Sequence, residues 1–343
     1  MVKLFHLKTI GQKKMNRLML AISEKPDPNT NKLRLIEKPI PSCNPYEVLI
    51  NVKSIGVNRP DILQKMGLYP APKNASPTLG LEASGIIDKV GEKVKNIQIG
   101  DKVCALTPGG AYAEKVSVSA SHCFPIPDNY TFSEAASLPE SYMTVWANLI
   151  ELGKIMKNQT LLIHGGSSGI GVAAIQLAKW KGLKVFTTVR NKKKVEFCKL
   201  VGADLSIIYK SENFAEKILH ETSGRGVNVI LDMVGGEYTN QNLSCLANNG
   251  KLIQIAFLQG NKVNLDLFHI LKKRLSITGS TMRSRTDEDK QRLALLIKRN
   301  LWPEMSKGKI KPFIYKEFKF EQVNEAHDLM ESSIHCGKIV LNI

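Results

Sequence analysis

The sequence predicts an α/β protein: a bent β-domain joined to a doubly wound parallel sheet. Three observations carry this. From about residue 141 apolar strands alternate with amphipathic helices at the spacing of βαβ units. A glycine-rich turn joins one such strand to its helix in "LLIHGGSSGIGVAAIQLAKWKG", Leu161 to Gly182. Residues 17–140, by contrast, are mostly strand and turn, punctuated by Pro and Gly.

The elements follow in order. "YEVLINVKSIGVN" alternates and is β-branched, as a half-buried strand should be. "IIDKVGEKVKNIQIGDKVCAL" is two strands joined by glycine turns. Breaks at "KPIPSCNP", "YPAPKNASPTLG" and "TPGGAYAE" keep this region in short pieces, which suits a small β-domain. Beyond it "TLLIHGG" is a strand and "GIGVAAIQLAKWKG" a helix closed by Gly182. "KVFTTV", "LSIIY", "VNVILDMVGG" and "GKLIQIAF" are further strands. "NKKKVEFCKLVGA", "ENFAEKILHET" and a segment around 237–247 are the helices between them, and "LSITGSTM" closes the series. The last stretch, "IKPFIYKEFKFEQVNEAHDLMESSIHCGKIVLNI", has strand, helix and strand character. The opening "MVKLFHLKTIGQKKMN" is basic and acid-free but lacks arginine. Residues 1–16 are therefore expected to be a disordered extension, or to precede a start at Met15, rather than a mitochondrial arm.

At 343 residues the chain exceeds one compact core and suits two domains. No apolar run approaches the roughly 20 residues that span a bilayer. The six cysteines are scattered without a C-x-x-C pair, which argues against a disulfide framework or zinc knuckle and suits a reducing cytoplasm. The formal net charge of +17 is spread along the chain rather than massed with aromatics. That describes a lysine-rich surface better than a nucleic-acid interface. An RNA-binding protein that keeps NADPH as a structural ligand is the alternative from another class.

A strand that delivers a glycine turn into a helix N-terminus makes an anion site, because backbone N–H groups and the helix dipole both point at the ligand. The turn fits two nicotinamide-binding patterns. Gly165, Gly169 and Gly171 fit the short-chain dehydrogenases; Gly166, Ser168 and Gly171 fit the medium-chain reductases. Short-chain enzymes also need Y-x-x-x-K on a helix. "YPAPK" (Tyr69, Lys73) holds two prolines, and "YKEFK" (Tyr315, Lys319) lies in an alternating, strand-like stretch. In a strand, residues four apart sit roughly 13 Å from each other, too far for the lysine to tune the tyrosine.

An acidic residue about 20 positions after the turn normally takes the ribose hydroxyls of NAD. "KVFTTV" instead runs into Arg190, Asn191, Lys192, Lys193 and Lys194. A 2′-phosphate wants such cations, so NADPH is the expected cofactor. Zinc-dependent relatives place Cys and His early, followed by a cysteine cluster. Here "GVNRPDIL" and "LGLEASG" stand at those places, so a catalytic zinc has no evident home and no metal is expected. His122, His164 and His335 are isolated and read as structural.

The motifs "GVNRPDILQKMGLYP", "LGLEASGII", "GDKVCALTPGGAYAEKV", "ASLPESYMTVWANL", "HGGSSGIGVAAIQLA", "ILDMVGGEY", "ITGSTMRSR" and "EAHDLMESSIHCGKIVL" occur in an order that resembles the zinc-independent medium-chain dehydrogenase/reductases. The resemblance is to the zeta-crystallin-like quinone oxidoreductases, and among them to the tumour-suppressor-inducible NADPH:quinone oxidoreductase group. It covers about residues 17–343. It implies a GroES-like catalytic β-domain over 17–140 and 283–343, with a Rossmann NADPH-binding domain over 141–282. It also implies NADPH-dependent reduction of quinones, ortho-quinones in the first place, by hydride or electron transfer without metal. The partners implied are the quinone and a second copy, as a homodimer or tetramer; an NADPH-dependent enone reductase is the nearest enzymatic alternative.

The same resemblance assigns the site. Asn58, Asp61 and Tyr69 would line the substrate side as catalytic candidates, with Thr144 near the nicotinamide. Gly166, Ser168, Gly169 and Ile170 would cradle the pyrophosphate. Asn191, Lys194 and Tyr209 would meet the 2′-phosphate, and Arg190, which replaces a small residue, could redistribute those contacts. Ala256, Phe257, Arg283 and Arg285 would close over the nicotinamide half. Each has a plainer reading: a turn-ordering pair for Asn58 and Asp61, a packed aromatic for Tyr69, a helix cap for Thr144, a strand-end tyrosine for Tyr209.

Overall fold

The computed structural model describes residues 17–343, so the expected extension over 1–16 lies outside the described residues. The chain opens with β1 (Leu18–Ile22) and β2 (Leu35–Pro39), a separate antiparallel ribbon. There follow β3 (Glu47–Val57), α1 (Arg59–Lys65), β4 (Glu82–Val90), β5 (Lys102–Leu106), β6 (Lys115–Ser119) and β7 (Cys123–Pro125). Two short helices, α2 (Phe132–Ala136) and α3 (Pro139–Val145), lead on, and α3 continues as a π-helical segment over Trp146–Leu152. Then come β8 (Thr160–His164), α4 (Gly169–Trp180), β9 (Lys184–Val189), α5 (Lys192–Val201) and β10 (Leu205–Ile208). α6 (Phe214–Glu221), β11 (Val227–Asp232), α7 (Tyr238–Cys245), β12 (Leu246–Gln254), α8 (Leu267–Lys273) and β13 (Ser276–Gly279) complete that series. The chain ends with α9 (Asp287–Asn300), α10 (Trp302–Ser306), β14 (Ile314–Lys319), α11 (Val323–Ser332) and β15 (Lys338–Asn342).

The second sheet has the order β10-β9-β8-β11-β12-β13, and every pairing in it is parallel. This is the 3-2-1-4-5-6 order of a dinucleotide-binding fold, which places a ligand crevice where the order reverses, between β8 and β11. The central strands read as continuous apolar runs because helices cover both faces. Leu161 and Ile163 pack on one side with Val185, Val189 and Leu231. Leu162 packs on the other with Phe186, Ile207 and Ile230.

The first sheet runs β14-β15-β3-β4-β5-β7, with β6 also on β3. The last strand, β15, lies antiparallel to β3, with Ile339 opposite Val57. Both ends of the described chain therefore contribute to the β-domain, around a GroES-like antiparallel core with its own buried cluster. The two domains share one buried cluster, in which Cys104, Leu106 and Phe124 of the β-domain meet Val145, Leu161 and Val172. Trp302 of α10 stacks on Phe124 of β7 with ring centroids 4.5 Å apart, and its indole N–H donates to the Pro125 carbonyl at 2.7 Å.

Candidate active site

The site begins at the carboxyl end of β8. Gly165 adopts φ +70°, a left-handed conformation that favours glycine. A Cβ on Gly166 would come within 2.5 Å of Thr187 Cβ. Ser168 caps α4: its Oγ accepts from the Gly171 N–H at 3.0 Å and donates to the Gly165 carbonyl at 2.8 Å. Its hydroxyl is thus committed to the turn, and Ser168 can serve a ligand only through its backbone. Gly169 and Ile170 open the helix, where N–H groups have no intrahelical acceptor.

The C-terminal strand clasps this turn. The Gly337 N–H donates to the Ser167 carbonyl at 2.8 Å. Lys338 then lies against Gly169, where any Cβ would overlap its side-chain carbons. Its ammonium donates to Glu82 Oε1 at 2.5 Å and to Asn58 Oδ1 at 2.7 Å. Asn58 Nδ2 donates to Glu82 Oε1 at 2.8 Å, and the Glu140 N–H donates to Glu82 Oε2 at 2.9 Å. Lys338 and Glu82 are buried, so this pair sits at low dielectric. None of Glu82, Glu140 and Lys338 was singled out from the sequence. The available signals were a carboxylate inside the apolar strand "LEASGII" and a lysine opening the apolar "KIVL".

Asp61 departs from its expected place among the catalytic candidates. It is fully buried, and its carboxylate accepts from the N–H groups of Asn58 at 2.8 Å and Gly80 at 3.1 Å and from the Tyr112 hydroxyl at 3.3 Å. Burial pushes it up to about 7 against those donors. Asp61 closes the capping box of α1 and orders the turn that presents Asn58, without facing a substrate.

Tyr69 is half-buried, with the Arg283 guanidinium 5.4 Å above its ring. Burial and then the Glu140 charge raise its pKa, which keeps the hydroxyl a neutral donor. Arg283 is buried, with Nε on the Pro108 carbonyl at 2.8 Å and Nη1 on the Tyr69 carbonyl at 3.3 Å. Arg285 does not join it: its guanidinium pairs with Asp289, one turn into α9, an (i, i+4) partner that sequence neighbours supply before the cleft can. Thr144 sits inside α3 rather than at a helix start, so it caps nothing, and its Oγ1 has no partner.

The ledge after β9 divides. Arg190, Lys192 and Lys193 are exposed, and Asn191 caps α5 by accepting from the Lys194 N–H at 3.1 Å. Tyr209 is 38% exposed and its N–H pairs with the Val189 carbonyl at 3.1 Å, which sets it beside Arg190. Lys194, expected at the 2′-phosphate, turns inward: its ammonium donates to the carbonyls of Ser333 at 2.8 Å and His335 at 3.0 Å. With Cys198 and Val201 it forms the buried face of α5, at positions i, i+4 and i+7. Ala256 and Phe257 follow β12 beside the Gly235 turn, with Phe257 54% exposed at the crevice rim.

The residues present fit a nicotinamide dinucleotide. The glycines let the backbone turn and pack closely at the helix opening, whose first N–H groups lack intrahelical acceptors, and exposed cations stand at the end of β9, where the fold takes the adenosine half. At the other end, Ser141 Oγ, Thr144 Oγ1 and Arg283 Nη2 are buried polar atoms without partners in the protein, the condition a bound polar ligand relieves. The histidines take no part. His164 is fully buried between Thr188 Oγ1 at 2.9 Å and Asn242 Oδ1 at 2.7 Å. A cavity of about 790 Å³ lies away from this cleft, between β5, β7 and α9, with Lys93, Lys95, Lys102 and Lys298 in its lining.

Residues 169–298 match the family model described as zinc-binding dehydrogenase, and residues 44–128 that of the alcohol dehydrogenase GroES-like domain. The chain is 31% identical over 332 residues to the synaptic vesicle membrane protein VAT-1 homolog of Danio rerio, covering 91% of this chain and 67% of that protein. It is 32% identical over 299 residues to quinone oxidoreductase-like protein 2 homolog of Nematostella vectensis, covering 86% and 81%. It is also 34% identical over 303 residues to a highly reducing polyketide synthase of Didymella fabae, covering 86% of this chain but only 15% of that protein. Among solved structures, the quinone oxidoreductase of Pseudomonas syringae pv. Tomato DC3000 superposes with a TM-score of 0.84 at 25% identity, over 95% of this chain and 100% of that one. The apo JamJ enoyl reductase gives 0.83 at 28%, over 94% and 99%.

Proposed function

The chain belongs to the medium-chain dehydrogenase/reductase family, an oxidoreductase family, and on that premise we propose that it reduces quinones with NADPH and without a metal. We place it with the zeta-crystallin-like branch. The observation that carries the NADPH preference is the ledge at the end of β9, where Arg190, Lys192 and Lys193 are exposed and no carboxylate stands in the ribose position. The donor set supports the metal-free reading. Among the described residues no three His, Cys, Asp or Glu converge as metal ligands, and the cleft floor beside Glu82 is taken by the Lys338 ammonium.

The bound reduced nicotinamide supplies the hydride. The chain's residues do the rest. The turn from Gly165 to Ile170 holds the diphosphate, and Ser141 and Thr144 offer hydroxyls at the nicotinamide end. Asn58 is spent on Glu82 and Lys338, so it shapes the floor. Tyr69, neutral beside Arg283, donates toward the oxygen on which charge develops.

Pure protein is expected to oxidise NADPH with ortho-quinones or enones, followed by loss of nicotinamide absorbance. Replacing Arg190, Lys192 and Lys193 together by Ala should weaken NADPH about 10–100-fold and leave NADH unchanged, the equivalent of about one charge-assisted contact at roughly 1.5–3 kcal/mol, since solvent screens these exposed cations. No oxidation across a quinone and enone panel would overturn the reading; turnover of enones alone would shift it to the enone reductases.

The same proposal includes a homodimer. Support comes from the open edge of the parallel sheet at β13, where Ile277 is exposed beside Leu267, Phe268 and Leu271 of α8. Sedimentation should give a dimer, and Ile277→Lys should split it; a monomer at micromolar concentration sinks this.

A further inference from the structure

Quinone reduction as proposed leaves one group in the cleft without a task, Glu140, and the role assigned to it below rests on that reductase reading. Glu140 is the second residue of α3, half-buried. Its main-chain N–H is anchored to Glu82, but among the described residues its carboxyl makes no hydrogen bond or ion pair. Thr144 lies one turn further along α3 and Ser141 beside it, both with unpartnered hydroxyls. Glu140 therefore stands on the wall that also holds the nicotinamide-side hydroxyls.

The charged groups around it come from every neighbouring element. Glu82 on β4 and Asp61 on α1 oppose its ionisation; Lys338 on β15 and Arg283 before α9 favour it. Lys290 on α9 and the Tyr69 ring complete the surroundings. Burial is the largest influence and the Glu82 charge the next, and together they push Glu140 up to about 8. Glu82 differs because it is paired: Lys338, Asn58 and the Glu140 N–H all donate to it. Two neighbouring carboxyl groups in different settings, one paired and one not, is the pattern by which one acts as an acid and the other as a fixed charge.

We propose that Glu140 is the proton donor of the reduction. The conjugated acceptor takes the hydride at one end, and its π electron pair moves to the other end. There the Glu140 O–H bond breaks and a new O–H or C–H bond forms. The acceptor is reduced by two electrons, the dinucleotide is oxidised, and Glu140 is left as a carboxylate that solvent reprotonates. Quinone oxygens take protons from water readily, whereas the α-carbon of an enone does not. The dependence on Glu140 is therefore larger for enones.

The test compares wild type, Glu140→Gln and Glu140→Asp across pH with an ortho-quinone and an enone. For the enone, Glu140→Gln should lower kcat about 10²-fold. The wild-type loss of kcat above about pH 8 should vanish in Glu140→Gln, and Glu140→Asp should restore part of the rate. NADPH affinity by fluorescence titration should stay within about 2-fold. A readout free of turnover accompanies it: the infrared carbonyl band of a protonated carboxyl at pH 7 should shrink in Glu140→Gln relative to wild type. Unchanged kcat with the alkaline fall intact, or an unchanged infrared band, overturns the assignment while the reductase reading stands. A wild type that consumes NADPH with neither acceptor overturns both.

Discussion

Lys338→Met is expected to destabilise the protein by about 3–5 kcal/mol, the range for removing one partner of a buried ion pair. The methionine keeps the apolar stem that lies along Gly169, so packing changes little. What is lost is the ammonium on Glu82 and Asn58. Glu82 is fully buried, and its remaining donors, Asn58 Nδ2 and the Glu140 N–H, cannot neutralise it. The cost is that of an uncompensated charge rather than the worth of the pair, so Lys338→Met combined with Glu82→Gln should recover much of it. Urea unfolding followed by tryptophan fluorescence measures this. A midpoint for Lys338→Met equal to that of wild type would show that the pair does not hold β15 to β4 as described.

Gly171→Val should cost the dinucleotide about 10²-fold in affinity, roughly 2.7 kcal/mol. A Cβ there would sit 2.5 Å from the Gly165 carbonyl oxygen and overlap that of Gly166, and neither is a side chain that could swing away. Helix α4 must then shift from the turn. The Gly171 N–H loses Ser168 Oγ, and the N–H groups of Gly169 and Ile170 no longer point where the diphosphate lies. Calorimetry with NADPH reads the affinity. Wild-type binding in Gly171→Val would mean that the turn is not the anion cradle.

The two outcomes rest on unequal legibility. The turn was readable because the contacts that set its backbone, among Gly165, Ser168 and Gly171, lie within one strand-turn-helix unit. So were "KVFTTV" and its helix, since a short buried run and a 3.6-residue period need only neighbouring residues. Lys194 was misplaced although its signal was present. Asn191 caps the helix, and Lys194, Cys198 and Val201 then fall on one face. A run of three lysines reads as a uniform cationic patch until the 100° step per residue is applied to it. Arg285 was likewise assigned to the cleft through the resemblance carried by "ITGSTMRSR", when Asp289 stands four residues on as its partner.

By itself the sequence determined the α/β class, the parallel series, the glycine turn that opens α4 and the exposed cations after β9, because local periodicity and backbone chemistry suffice for each. Only the tertiary structure decided the cleft floor. Glu140 meets Glu82 across 58 positions of chain, and Lys338 meets it across 256. No spacing rule links residues so far apart. Their convergence depends on β15 pairing with β3 and docking on the glycine turn, and the fold then pairs Lys338 with Glu82 and leaves the Glu140 carboxyl beside them raised above the usual carboxylate range.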